Sequence, residues 1–234
     1  MASAPPAKNS DLGVRTLSAI VMLALAGGAL WLGGWWWKVF VLLVGAGVWF
    51  EWSMLVLLFK PPGAVRSLWR AAGAIYCGFA AAMLIEMRQP VYGISLVLLV
   101  VGAVVATDVG AYFAGRAIGG PKIAPSISPS KTWAGLVGGT FASALALVSG
   151  SQLMGDGSVS PYYFLAYALI GALIAIVAQA GDFFQSWMKR RAGVKDSGNL
   201  IPGHGGLFDR LDGLLAVCFV LGVIFMVSRL WGGP

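Results

Sequence analysis

Four aspartates of this sequence lie inside or directly beside long apolar runs, where ionisable side chains are costly and are therefore candidates for function. They are Asp108, Asp182, Asp209 and Asp212. Carboxylates that meet at one point repel each other unless a cation lies between them. The chain has one histidine, and its two cysteines lie in apolar runs. Oxygen ligands and Mg²⁺ are therefore favoured over zinc.

Groups suited to phosphate surround these acids along the chain. The basic and hydroxyl candidates are Ser128, Ser130, Lys131, Thr132, Lys189, Arg190, Lys195 and Arg210. Ser130 is a candidate N-cap for the helix that follows, whose free N–H groups would form an anion site. Gly205 and Gly206 would let backbone amides approach a ligand closely. His204 can equally bind phosphate, transfer a proton or cap a backbone group. Together with the acids, these groups predict a phosphate and metal site.

Structural alternatives remain open for two of the acids. Asp209 can complement a helix dipole or pair with Arg210 or Lys195. Asp182 can form a buried ion pair with a neighbouring basic residue. A basic loop alone is also what membrane topology produces.

The elements that must position these groups are membrane-spanning helices. The chain is 59% hydrophobic and only 11% charged, which is too apolar for a soluble domain. A transmembrane helix needs about 20 apolar residues. We therefore predict an all-α, polytopic helical bundle of about seven transmembrane helices. The expected spans are 16–34, 37–59, 68–87, 92–114, 132–154, 160–185 and 208–230.

The distribution of charge predicts the orientation of these spans. With seven spans, 13 of the 16 Lys and Arg residues fall on one side, which the positive-inside rule assigns to the cytoplasm. The N-terminus and the loops 115–131 and 186–207 are then cytoplasmic, and the four acids reach similar depth on that side. The net charge of +7 reflects these loops, so we expect no nucleic-acid partner.

This topology divides the chain into three regions. Residues 1–14 are expected to be a disordered cytoplasmic tail, residues 15–90 the N-terminal transmembrane helices and residues 91–234 the catalytic region. We expect an integral protein of a bacterial inner membrane. Assembly into a homo-oligomer stays open.

The run SWMKRRAGVKDSGNLIPGHGGLFDRLD, residues 186–212, resembles the complete signature of the phosphatidate cytidylyltransferases, also called CDP-diglyceride synthases. A second block, TDVGAYFAGRAIGG followed by SPSKT, resembles the central region of that family. The likeness covers about residues 95–230. The chain departs from it at Ala134, where many members carry Glu. The N-terminal third is similar only in being hydrophobic, with the acid–Trp pair Glu51 and Trp52 near the end of a span.

The resemblance implies a reaction of CTP with phosphatidic acid that gives CDP-diacylglycerol and pyrophosphate and requires a divalent cation. Carried over by motif, Asp182 and Asp209 would bind Mg²⁺. Asp108 and Asp212 would orient cations or bind a second metal. The identity of that second metal stays open, and a monovalent cation such as K⁺ is one candidate. The basic residues would bind the triphosphate or the lipid headgroup. We group the candidates as catalytic (Asp108, Asp182, Lys195, Asp209), metal-binding (Asp182, Asp209, Asp212) and substrate-binding (Ser128, Ser130, Lys131, Thr132, Lys189, Arg190, His204, Gly205, Gly206, Arg210).

Two other functions remain as alternatives. Another CTP-dependent lipid enzyme would release CMP or CDP rather than pyrophosphate. An ion-coupled transporter would place its acids near the membrane midplane and show inverted repeats. The sequence shows no convincing repeat and places its acids towards one face.

Overall fold

A computed structural model describes residues 8–154 and 161–232 of the protein, which form seven long helices and one short β-hairpin. The elements in chain order are α1 Lys8–Leu32, α2 Gly34–Leu58, α3 Gly63–Met87, α4 Ser95–Ala117, β1 Lys122–Ala124, β2 Ser128–Thr132, α5 Trp133–Met154, α6 Pro161–Ala192 and α7 Phe208–Trp231.

Each of the seven described helices is long and apolar enough to cross a membrane. Between 0% and 39% of the most hydrophobic window of each helix is buried inside the protein, so most of the apolar surface faces outward. A helix satisfies its own backbone hydrogen bonds, so it can expose such a surface to lipid. The predicted class, a polytopic helical membrane protein, is confirmed.

Several helices extend beyond their predicted bounds, and α1 and α6 do so by the most residues. α1 begins at Lys8, inside the segment predicted as a disordered tail, and residues 1–7 lie outside the described part of the chain. α6 continues to Ala192, so the first residues of the predicted loop 186–207 are helical. Gly193, with φ 71°, ends α6. The N–H groups of Gly193 and Val194 donate to the carbonyls of Arg190 and Lys189, which is a Schellman motif.

Small residues bring the helices that carry the acids close together. A Cβ atom on Gly139 of α5 would lie 2.8 Å from the carbonyl oxygen of Thr107 on α4 and 2.9 Å from Gln179 Nε2 on α6, so α5 packs closely against both helices. A Cβ atom on Gly181 of α6 would lie 2.7 Å from the carbonyl oxygen of Asp212 on α7. Close contact through glycine and alanine is typical of helix pairs in membranes. It places the acids of α4, α6 and α7 within one region.

An aromatic cluster holds four helices together at the end of the bundle that carries the hairpin, here called the hairpin end. The ring of Trp52 on α2 lies 5.6–6.3 Å from the rings of Trp69, Tyr76, Phe184 and Phe208. Its indole N–H donates to the carbonyl of Trp69 at 2.8 Å. These contacts join α2, α3, α6 and α7 directly beside Glu51.

The hairpin leads into α5. Strands β1 and β2 are antiparallel, with Lys122 opposite Thr132. The prediction that Ser130 caps α5 is wrong, because Ser130 lies within β2 and the helix begins at Trp133. The cap is Thr132, whose Oγ1 accepts a hydrogen bond from the Gly135 N–H at 3.1 Å. Strand pairing therefore carries the chain two residues further before the helix can start.

Candidate active site

Three helices and the hairpin bring Asp108, Asp182, Asp212 and Lys131 together at the hairpin end; these four residues are here called the acidic cluster. The Lys131 ammonium forms an ion pair with Asp182 Oδ2. Asp108 interacts electrostatically with Lys131 and Asp182, and Asp212 with Asp182 and Asp108. The structure thus gathers three of the four aspartates singled out in the sequence.

Asp108 is exposed in this cluster, and Asp182 is partly accessible. Its side chain is 28% exposed, and Ser186 Oγ donates to its Oδ1 over a long 3.3 Å. Lys131 is therefore its main partner. A carboxylate with one ion pair and an open side can exchange that partner for another cation.

Asp209 has a different environment, because five donor groups surround its carboxylate. Its Oδ1 accepts from Gln185 Nε2 at 2.8 Å and from Lys189 Nζ at 2.7 Å. Its Oδ2 accepts from the Ser197 N–H at 2.7 Å, Ser197 Oγ at 3.0 Å and the Gly206 N–H at 3.1 Å. The side chain is only 8% exposed. Asp209 therefore ties α6 to both ends of the loop 193–207.

The expected ionic partners of Asp209 lie elsewhere. The Arg210 guanidinium donates to the carbonyl oxygen of His204 at 2.7 and 3.2 Å, and Lys195 is exposed. The ion pair of Asp209 is with Lys189, one α6 turn beyond Gln185. Asp209 also lies in the first turn of α7, where a negative charge complements the helix dipole.

Glu51 on α2 was missed as a site residue in the sequence, and it completes this arrangement. It is 1% exposed. Its carboxylate accepts hydrogen bonds from Ser197 Oγ at 2.9 Å, the Leu207 N–H at 3.0 Å and the Phe208 N–H at 2.8 Å. The signal was present, since Glu51 lies inside a predicted span and an ionisable residue there is a functional candidate.

The amide of one of the two loop glycines binds a side chain of the protein itself. The N–H of Gly206 donates to Asp209, and a Cβ atom on Gly206 would lie 2.6 Å from Glu51 Oε2. Gly206 is buried, so its amide is committed to the protein rather than open to a ligand. Gly205 adopts φ 82° and forms an antiparallel bridge with Ile201. These glycines shape the loop around two carboxylates.

The imidazole of His204 reaches α1. Its Nδ1 lies 2.8 Å from Ser18 Oγ, and a Cβ atom on the neighbouring Gly203 would lie 2.9 Å from Arg15 Cγ. The partner of this imidazole is a side-chain hydroxyl rather than a backbone group. His204 links the signature loop to the first helix.

The remaining phosphate-binding candidates line the hairpin and the end of α6. Arg190 Nε donates to the carbonyl of Ile127 at 3.3 Å, which joins α6 to the hairpin turn. Lys122 Nζ donates to the carbonyl of Ser130 at 3.4 Å, whereas Thr132 is committed to its cap. Arg190 and Lys195 are exposed and therefore accessible to a soluble anion.

The donors present fit Mg²⁺ better than a metal that prefers nitrogen or sulfur. Within residues 8–154 and 161–232, no three His, Cys, Asp or Glu side chains are arranged to hold a metal ion by themselves. Mg²⁺ usually takes one or two carboxylates and completes its shell with water and substrate phosphates. The acidic cluster offers carboxylate oxygens of this kind.

Comparison with known proteins identifies the family of this chain. Residues 53–228 match the profile of the cytidylyltransferase family. A phosphatidate cytidylyltransferase of Brucella suis biovar 1 is 34% identical over 92% of this chain and 95% of its own length. Proteins of the same name from Rickettsia bellii and Bacillus subtilis are 32% and 38% identical, covering 96% and 68% of this chain and 94% and 56% of their own lengths. The chain therefore belongs to the cytidylyltransferase family.

Proposed function

We propose that this protein transfers the cytidylyl group of CTP to phosphatidic acid, giving CDP-diacylglycerol and pyrophosphate. The observation that carries the proposal is the ion pair of Lys131 with Asp182, beside Asp108 and Asp212, at one end of a membrane helix bundle. Anion-binding and cation-binding groups meet there, at a level where a lipid headgroup and a soluble nucleotide can both arrive. The relatives that match most of the chain carry the name of this activity.

In this reaction a phosphate oxygen of phosphatidic acid attacks the α-phosphorus of CTP. The bond between that phosphorus and the oxygen that bridges the α- and β-phosphates breaks, and pyrophosphate leaves with the electron pair. Such a transfer needs in-line positioning and neutralisation of charge more than covalent help from the protein. Lys131 and Lys189, each paired with a carboxylate in this structure, are the ammonium groups closest to the acids. We propose that both bind substrate phosphates.

We propose Mg²⁺ as the cofactor, held by Asp182, Asp209 and Asp212, with Asp108 orienting the cluster. When bound, the ion neutralises charge on the triphosphate and on the leaving pyrophosphate. Asp182 and Asp212 lie in the same acidic cluster. In this proposal, Lys189 leaves Asp209 to bind a substrate phosphate. The carboxylate of Asp209 is then free to bind the cation together with Asp182 and Asp212. A second, monovalent cation such as K⁺ would occupy the same oxygen-rich surroundings.

The other candidates bind the substrates around this centre. Arg190 and Lys195 are the accessible cations for the triphosphate, and Ser128 and Ser130 present hydroxyls on the hairpin. Arg210 and His204 shape the loop through their own contacts. We place this end of the bundle at the cytoplasmic face of a bacterial inner membrane, because CTP is cytoplasmic and the basic loops lie on that side.

Pyrophosphate release by the purified protein tests the proposal. Wild-type protein should form pyrophosphate only when CTP, phosphatidic acid and Mg²⁺ are all present. Asp182→Asn should lose almost all turnover, whereas Glu86→Gln, a matched carboxylate on α3, should keep it. Undiminished turnover of correctly folded Asp182→Asn would contradict the assigned role. Release of CMP or CDP instead of pyrophosphate would indicate a different CTP-dependent lipid enzyme.

A further inference from the structure

Glu51 is a buried carboxyl group, and its hydrogen-bond partners among the described residues are uncharged donors. Its side chain is 1% exposed, and the ion pairs of the described chain involve other acids. A buried carboxylate without compensation is strongly unfavourable. The three donors to Glu51 therefore have to compensate for its burial, and all three come from residues 197–208 of the signature.

Two of these donors belong to the start of α7. The first N–H groups of a helix have no partner inside the helix, and no side chain of the loop caps α7 locally. Glu51 supplies the cap from α2, with Oε1 on the Leu207 N–H and Oε2 on the Phe208 N–H. Charge-assisted bonds at a helix N-terminus are stronger than neutral ones. The direction and depth of α7 at its first turn are thus set from α2.

The third donor connects Glu51 to the candidate active site. Ser197 Oγ lies 2.9 Å from Glu51 Oε2 and 3.0 Å from Asp209 Oδ2. Asp209 in turn accepts from Lys189. The single hydroxyl proton of Ser197 is shared between these two carboxylates. Polar contacts therefore link α2 through Ser197 and Asp209 to an ammonium group that we assign to phosphate binding.

The loop is shaped to admit this carboxylate. A Cβ atom on Gly198 would lie 2.5 Å from Glu51 Oε1, and one on Gly206 would lie 2.6 Å from Glu51 Oε2. Any larger side chain at either position would overlap the carboxylate. Two glycines of the signature are thus explained by a residue that lies outside the signature.

We infer that Glu51 is a positioning residue of the active site, which acts through Ser197 and the start of α7 to fix Asp209 and Lys189. The expected effect of Glu51 on the reaction rate rests on the proposed function. The anchoring of residues 197–208 by Glu51 does not depend on it. Aspartate at this position is one methylene shorter and cannot reach both amides. Glutamine keeps the shape but replaces one acceptor oxygen by an NH₂ group, which faces N–H or O–H donors in either orientation.

The test compares Glu51→Gln with Glu86→Gln, since these are the two glutamates of the chain. Displacement of reacting groups by about 1 Å can cost about 100-fold in rate, so we expect Glu51→Gln to lower kcat by about 100-fold. The KM for CTP should change far less, because Arg190 and Lys195 are untouched. Glu86→Gln should match wild type. A folded Glu51→Gln variant with wild-type kcat would overturn the inference.

A second variant separates positioning from general stability. Ser197→Ala breaks the path to Asp209 but leaves both α7 amides bound to Glu51, so it keeps the fold while lowering kcat. The double variant should be no slower than Glu51→Gln alone, because both changes interrupt one path. Should Glu51→Gln fail to fold, a normal kcat in Ser197→Ala overturns the inference, and a lowered kcat supports it.

Hydrogen exchange makes the result independent of the proposed activity. Peptides that cover residues 197–208 should exchange faster in Glu51→Gln than in wild type or Glu86→Gln. Wild-type protein without cytidylyltransferase activity would refute the proposed function yet leave this measurement valid. Unchanged exchange in a folded Glu51→Gln variant would refute the anchoring directly.

Discussion

Replacing Asp209 by asparagine should separate its structural role from that of Asp182. The asparagine amide is nearly isosteric, but its NH₂ group must take the place of one carboxylate oxygen. It then faces either Gln185 Nε2 and Lys189 Nζ, or the two N–H groups and the hydroxyl that bind Oδ2. All of these are donors. Asp209→Asn therefore loses hydrogen bonds in both orientations and leaves an ammonium group unpaired.

The size of the effect follows from burial. Asp209 and Lys189 are 8% and 16% exposed, and removing one partner of a buried pair costs about 3–5 kcal/mol. For a chain of this length, 1 kcal/mol corresponds to a shift of about 2–4 °C in Tm. Asp209→Asn should thus lower Tm by about 6–20 °C. Asp182 and Lys131 are 28% and 18% exposed, so Asp182→Asn should cost about 0–1 kcal/mol.

Thermal unfolding of the purified variants in one detergent measures this difference. Both variants should lose turnover, but only Asp209→Asn should lose stability. Asp196→Asn, which neutralises an exposed acid of the same loop, serves as the stability control. Equal Tm values for Asp182→Asn and Asp209→Asn would refute the distinction between an open carboxylate and one surrounded by donors.

Three further predictions concern the loop, the helix packing and the metal. His204→Ala and Ser18→Ala should lower kcat/KM to a similar, modest extent, because each removes the same contact between α1 and the loop; a defect in His204→Ala alone would instead indicate a role in proton transfer. Gly171→Ala should destabilise the protein by about 1–3 kcal/mol, since its Cβ would lie 2.6 Å from Ala144 Cα, whereas Gly78→Ala, with open space around it, should not; unfolding in one detergent compares them. Chelation of divalent cations should abolish pyrophosphate release and added Mg²⁺ should restore it; full activity in excess chelator would contradict metal dependence.

The fold was predictable from the sequence because membrane helices carry their signal locally. Apolar length marks each span, so all seven were found. The bounds failed where polar residues continue a helix beyond its apolar part, as at Lys8 and at the end of α6. Ser130 was misassigned as a cap for a related reason, because strand pairing with β1 is a tertiary effect that composition does not carry.

The site was predictable in part. Depth along the spans indicated that Asp108, Asp182 and Asp212 would meet, and they do. The same reasoning could not separate Asp209 from them, because its set of donors depends on the loop folding back through Ser197. Glu51 carried a local signal as an ionisable residue inside a span, but its association with this site depends on donors about 150 residues away in the chain. Contacts of that range leave no local pattern in one sequence.

The most direct test follows radiolabelled CTP into products. With CTP labelled at the α-phosphate, purified wild-type protein, phosphatidic acid and Mg²⁺, we expect label in a lipid-soluble product together with unlabelled pyrophosphate. With CTP labelled at the γ-phosphate, we expect the label only in pyrophosphate. Transfer of the γ-label to lipid, or no lipid product from the α-label, would contradict cytidylyl transfer.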